Sequence, residues 1–136
     1  IHVRRNPLDT CLSIYKNDLL GGQFQYGRNL GGLGYYYRMY LRLMQHWHDV
    51  LPEGVMYELD YEKLVENQES ETRKLLAFCG LDWDESCLRF NRTRNIVSTS
   101  SIAQVRRPIY RDSVAAWKRY EKHLQPLIRI LGSERA

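Results

Sequence analysis

The spacing of apolar residues along this chain changes period several times, and each change predicts an element. Ile1-His2-Val3-Arg4-Arg5 alternates apolar and polar positions and reads as a short strand that ends in two arginines. Asn6-Pro7-Leu8-Asp9 has the make-up of a helix start, with Asn6 as N-cap, Pro7 at the first helical position and Asp9 in the first turn. That helix is expected to run to about Lys16, burying Leu8, Cys11, Leu12 and Tyr15 on one face. Gly21-Gly22 and Gly27 mark a loop over about 18–30. A second helix, 31–51, carries Tyr36, Tyr40, Leu43 and Trp47 beside Tyr37, Leu41, Met44 and Leu51. Such a wide apolar face at helical spacing reads as core packing rather than a cofactor site.

Pro52-Glu53-Gly54 predicts a turn and 55–59 a buried strand. A helical turn from Tyr61 to about Asn67 follows, then an amphipathic helix over 69–79 stopped by Gly80, and a short helix over 84–90. Periodicity disappears over 91–110. A loop of that length inside a compact domain is usually functional or disordered. Helices over 113–120 and 124–131 close the chain. The order strand–helix–helix–strand–helix predicts an α/β fold, helix-rich, with flanking helices on a parallel sheet. Residues 1–136 suit one compact domain or most of one.

Composition narrows the function classes. Hydrophobic residues make up 43% and charged residues 26%, as in ordinary globular domains. No apolar run has the ~20 residues of a membrane span. The start lacks a Met and a signal-like apolar stretch, and it reads as the middle of a strand, so a fragment of a longer chain is expected. A net charge of +4 and a pI of about 9.0 favour anionic partners. Cys11, Cys79 and Cys87 are odd in number and irregularly spaced, which suits neither a disulfide framework nor a zinc site and fits a reducing, cytoplasmic setting. His46 and His48, two apart on a helix, point to nearly opposite sides and make a poor metal pair.

Three segments could carry chemistry. In Arg5-Asn6-Pro7-Leu8-Asp9-Thr10-Cys11-Leu12-Ser13, an arginine leaves a strand's carboxyl end just before a helix start, where open α/β sheets bind ligands. Free N–H groups of the helix would suit a phosphate, with Ser13 two turns further in. The alternative is a capped helix beside an arginine paired to a surface carboxylate. Residues 98–108 combine four small hydroxyls with Arg106 and Arg107, donors of the kind phosphate oxygens accept; the alternative is a basic linker. In Leu59-Asp60-Tyr61-Glu62-Lys63-Leu64, Tyr61 could face a crevice or be a half-buried core tyrosine.

Together these segments resemble the sulfotransferases that use 3′-phosphoadenosine 5′-phosphosulfate. The pattern looks closest to the bacterial domains attached to tetratricopeptide repeats, and next to the tyrosylprotein sulfotransferases. The similarity rests on Arg5…Ser13, on Tyr61-Glu62-Lys63-Leu64 with the following 74–81 stretch, and on Ser101…Gln104-Val105-Arg106-Arg107-Pro108…Ser113…Trp117. It implies a fold like that of the phosphate-loop NTPases, truncated at the N-terminus, with residues 1–136 as the carboxy-terminal portion of one sulfotransferase domain. It also implies that Arg5 and Ser13 bind the donor's 3′-phosphate, that Tyr61 contacts adenine, and that Ser101 acts at the transferring group. Gln104 and one or both of Arg106 and Arg107 would return to the donor. No metal is implied. The family's phosphosulfate loop and catalytic base would lie upstream, so this chain alone is not expected to be a competent catalyst. The acceptor is left open. The rival reading is a basic, non-catalytic module that binds nucleotide, nucleic acid or an acidic protein surface, although no RNA-binding signature is present.

Overall fold

The computed structural model describes residues 1–17, 25–92 and 108–132. The described residues are mostly helical with a two-stranded parallel sheet, an α/β content. It divides into two compact units, one of residues 1–4 and 56–112, the other of residues 5–55 and 113–136.

In the first unit, β1 (His2–Arg4) pairs in parallel with β2 (Glu58–Asp60), with His2 opposite Glu58, Val3 opposite Leu59 and Arg4 opposite Asp60. The His2 amide extends the pairing by donating to the Tyr57 carbonyl at 2.8 Å. The second strand is shorter than the apolar run 55–59 predicts. Val55 is 57% exposed, and its amide closes the Pro52 turn by donating to the Pro52 carbonyl at 3.3 Å. An amide committed to the turn cannot enter the ladder. Helices α3 (Tyr61–Glu66) and α4 (Gln68–Phe78) follow β2. Leu59 and Val65 are buried, the Tyr57 and Phe78 rings meet at 5.1 Å, and Arg73 lies 3.8 Å over the Trp83 ring. At the end of α4, Gly80 has φ +67, the Leu81 amide donates to the Leu76 carbonyl and the Gly80 amide to that of Ala77. This is the paired bonding that ends a helix at a left-handed glycine. The expected short helix over 84–90 is a 3₁₀ segment, Glu85–Arg92, kinked at Arg89.

The second unit holds α1 (Pro7–Lys16), a 3₁₀ turn (Gln25–Arg28), α2 (Leu30–Val50), a 3₁₀ segment (Ala116–His123) and α5 (Gln125–Gly132). Its core is Cys11, Leu12, Leu33, Tyr37, Leu124 and Leu127, with Leu8, Ile14, Tyr40 and Trp117 packed against it. Each fully buried leucine contributes about 1.5–3 kcal/mol. Ile14 takes the place expected for Tyr15, which is exposed.

The aromatic face of α2 does not form one continuous core. Tyr37 is buried and Tyr40 is half-buried, but Tyr36, Leu41, Leu43 and Trp47 are exposed, Leu43 by 52% and Trp47 by 40%. The cause is length. The 21 residues of α2 span about 31 Å, whereas α1 and α5, with 10 and 8 residues, cover less than half of that from one end. Tyr36 instead stacks on Tyr26, ring centroids 3.8 Å apart.

Gly34 of α2 faces Ile130 and Leu127 of α5. A methyl group there would sit 3.0 Å from Ile130 Cγ2 and 3.2 Å from Leu127 Cδ1. Gly34→Val should therefore overpack the contact and lower stability by about 1–3 kcal/mol in chemical denaturation; an unchanged midpoint would contradict this packing. Burial also pushes the Cys11 thiol up to about 12, whereas Cys79 is exposed. At pH 8 a thiol reagent should label Cys79 readily and Cys11 only on unfolding, as mass spectrometry of the labelled peptides would show.

Candidate functional site

Arg4 and Asp60, the last residues of the two strands, are register partners, so both strands end on the same edge of the pair. Arg5 and Tyr61 are the residues that follow. The two consecutive arginines have different neighbours. Arg4 binds β2 across the pair: Nη2 and Nε reach Asp60 Oδ1 at 2.8 and 3.0 Å, and Nη1 reaches Glu58 Oε2 at 2.9 Å. Glu58 also meets His2 Nδ1 at 3.1 Å, and Lys63 Nζ lies 2.7 Å from Asp60 Oδ2. Arg4 is thus paired to two carboxylates of β2.

Arg5, half-buried, donates Nη2–H to the Ser113 carbonyl at 2.7 Å. The turn that follows it differs from expectation. Asn6 Oδ1 accepts from the Leu8 amide at 3.0 Å and the Asp9 amide at 3.2 Å, and the Thr10 amide donates to the Asn6 carbonyl. Pro7 has no amide hydrogen, so the first turn of α1 is already satisfied by its own cap. The expectation of free helix N–H groups for a phosphate is therefore corrected. Anion-binding capacity at this end of α1 belongs to side chains.

Asp9 carries the least expected environment. It is only 2% exposed, and its carboxylate accepts the Ala115 amide on Oδ2 and the Trp117 amide on Oδ1, each at 2.8 Å. Two N–H donors compensate the removal of the charge from water. The grip also explains why no α-helix forms over 113–120. Ala115 lies in the left-handed region (φ 55), so the helical segment begins only at Ala116 and is 3₁₀. Lys16 lies 5.1 Å over the Tyr120 ring. The contacts of Arg5, Asp9 and Lys16 thus fall in order at Ser113, Ala115 with Trp117, and Tyr120. The segment runs beside α1 in the same direction.

Ser13, one turn after Asp9 on the same side of α1, is half-buried. Asn17 Nδ2 donates to its carbonyl at 2.7 Å and stands 3.5 Å from its hydroxyl. Tyr61 is half-buried at the first position of α3. Ser101, Gln104, Arg106 and Arg107, with the other hydroxyls of 98–101, lie outside the described residues, as does 18–24 of the glycine-rich loop. His46 and His48 are exposed.

Sequence reasoning treated Asp9 only as a helix-start residue. The available signal was its register, four residues after Arg5 and four before Ser13; its burial depends on a segment more than a hundred residues away.

Two parallel strands, each followed directly by a helix and with an arginine after the first, define an α/β domain. Comparison with known proteins takes this further. The family model described as Sulfotransferase family matches residues 1–85, and the chain belongs to the sulfotransferase family. A protein of Aquifex aeolicus (strain VF5), described as an uncharacterized protein, is 42% identical over 133 residues, which is 96% of this chain and 17% of that protein. The chain thus spans about one sixth of the length of that relative. No solved structure matches it significantly. Among the described residues, no helix is long and apolar enough to cross a membrane.

The Asp60 carboxyl is held below its ordinary value, first by the Lys63 hydrogen bond and then by Arg4, against opposing desolvation. A lowered folded value contributes stability above the unfolded value of about 3.9 and loses it as pH falls through the folded value. Asp60→Asn should therefore cost under about 1 kcal/mol at pH 7, less in high salt, with the difference shrinking as pH falls below the unfolded value of about 3.9. Denaturation midpoints at pH 7 and in acid measure it. A difference that persists in acid would show that the charge is not its source.

Proposed function

We propose that this chain forms the 3′-phosphate and adenine side of the donor site of a sulfotransferase. The enzyme transfers a sulfuryl group from 3′-phosphoadenosine 5′-phosphosulfate to a hydroxyl or amine. The observation that carries the reading is Arg5. In the segment matched to the family, it is the residue immediately after the carboxyl end of a parallel strand, and its guanidinium is oriented by a backbone carbonyl. In this reading the fold is the phosphate-loop-like sulfotransferase fold and the compartment is the cytoplasm.

Arg5 and Ser13 donate to the 3′-phosphate, and Tyr61 contacts adenine. Gln104, Arg106 and Arg107 return to the donor's phosphates, and Ser101 steadies charge on the oxygen that bridges sulfur and phosphorus. The reaction is an in-line displacement. The acceptor's oxygen or nitrogen forms a bond to sulfur as the sulfur–oxygen bond to the 5′-phosphate breaks. The acceptor proton passes to a base elsewhere in the enzyme, and adenosine 3′,5′-bisphosphate leaves. As in phosphoryl transfer, the protein contributes position and charge stabilisation. The residues named here supply donor affinity and orientation.

Each charge-assisted hydrogen bond to the 3′-phosphate should contribute about 1.5–3 kcal/mol. Adenosine 3′,5′-bisphosphate at a hundred times its Kd should stabilise the fold by about 2.7 kcal/mol, a melting shift on the order of 5–15 °C. The expected outcome is a shift with the bisphosphate that far exceeds the one with 5′-AMP at matched ionic strength. Arg5→Ala should remove most of the excess, read as ligand-induced shift because Arg5 also anchors Ser113. Equal shifts with both nucleotides, or steeply salt-dependent binding of any polyanion, would instead indicate a basic binding module.

A further inference from the structure

We propose that Asp9 is a positioning residue for the 3′-phosphate grip, acting on Arg5 through the backbone of residues 113–117. The inference rests on the donor-site reading above and adds a residue to it. Asp9 has no role in holding an anion, since a carboxylate repels one. Its two oxygens are occupied by the amides of Ala115 and Trp117, and almost none of it reaches solvent. Two residues before Ala115, the Ser113 carbonyl accepts Arg5 Nη2–H.

The guanidinium of Arg5 is therefore oriented by a carbonyl whose own location is set by Asp9. A guanidinium is a planar fork, and its bidentate fit to a phosphate is lost when the plane tilts. The carbonyl occupies one Nη2 hydrogen and aligns that plane. A second feature shows that the segment is held in place. Ala115 keeps a left-handed backbone that alanine disfavours, which persists only where the surroundings over-determine it. The carboxylate bonded to the Ala115 amide and to the amide two residues on supplies that constraint.

The substrate class affected is a nucleotide with a 3′-phosphate, and 5′-AMP should be indifferent.

The test compares Kd values for adenosine 3′,5′-bisphosphate and 5′-AMP by calorimetry on the full 136-residue chain. Asp9→Asn keeps the side-chain shape but places an amide NH₂ against a backbone N–H. The preference for the bisphosphate should fall about tenfold or more, with 5′-AMP affinity nearly unchanged. Arg5→Ala should cost much less in the Asp9→Asn background than in the parent, because the two residues act in one chain of contacts. A purely structural Asp9 would leave the preference intact in the folded fraction and make the two substitutions additive, overturning the proposal.

An unsubstituted-chain measurement covers the case in which Asp9→Asn does not fold. Hydrogen exchange at the Ala115 and Trp117 amides should slow with the bisphosphate and not with 5′-AMP; unchanged exchange overturns the proposal. A parent chain with no preference between the two nucleotides removes the donor-site reading itself. A parent with a preference that Asp9→Asn retains removes only the role of Asp9.

Discussion

One buried carboxylate organises much of the second unit. Asp9 could be removed from water only because two backbone amides, those of Ala115 and Trp117, replace its hydration. That exchange fixes a distant segment against α1 and forces Ala115 into the left-handed region. It also brings Trp117 onto the core formed by Cys11, Leu12, Leu33, Leu124 and Leu127. The apolar contacts supply most of the burial. They are non-directional, however, and would tolerate sliding along α1, whereas two hydrogen bonds at 2.8 Å do not. The carboxylate sets the register, and the core then packs around it.

The end of β1 illustrates a second constraint. Arg4 and Arg5 are chemically identical neighbours, yet the strand's alternation gives them different surroundings. Arg4 meets Asp60 and Glu58 across the parallel pair and acts as a structural cation. Arg5, just past the strand, donates to the Ser113 carbonyl on a different element. Asn6 complements this by satisfying the first-turn amides of α1, so an anion at this end of the helix must be held by side chains.

Helix α2 shows the limit of reading a core from periodicity. Its apolar stripe continues for the full 21 residues, but the elements that pack against it within its own unit are much shorter. The pattern correctly reported a face that is apolar. It could not report how far along that face the partners extend, because their lengths are set by caps and turns elsewhere. Exposed Leu43 and Trp47 are the result.

The sequence by itself determined the local features. Asn6 and Pro7 start α1, Gly80 ends α4, and the element order predicts a parallel pair. The motifs at Arg5…Ser13, at Tyr61…Leu64 and in the late segment resemble the sulfotransferases, the family whose model matches residues 1–85. Each of these is written within a few residues, where backbone dihedrals and neighbouring hydrogen bonds act. Tertiary structure decided what depends on distant partners: that Arg4 is paired to carboxylates across the strands, that Val55 closes a turn, and that the segment after Asp112 is 3₁₀ rather than α. It also decided that Asp9, an ordinary helix-start residue by composition, is buried. A carboxylate's fate turns on whether donors replace its water, and the donors for Asp9 lie 106 and 108 residues further along the chain.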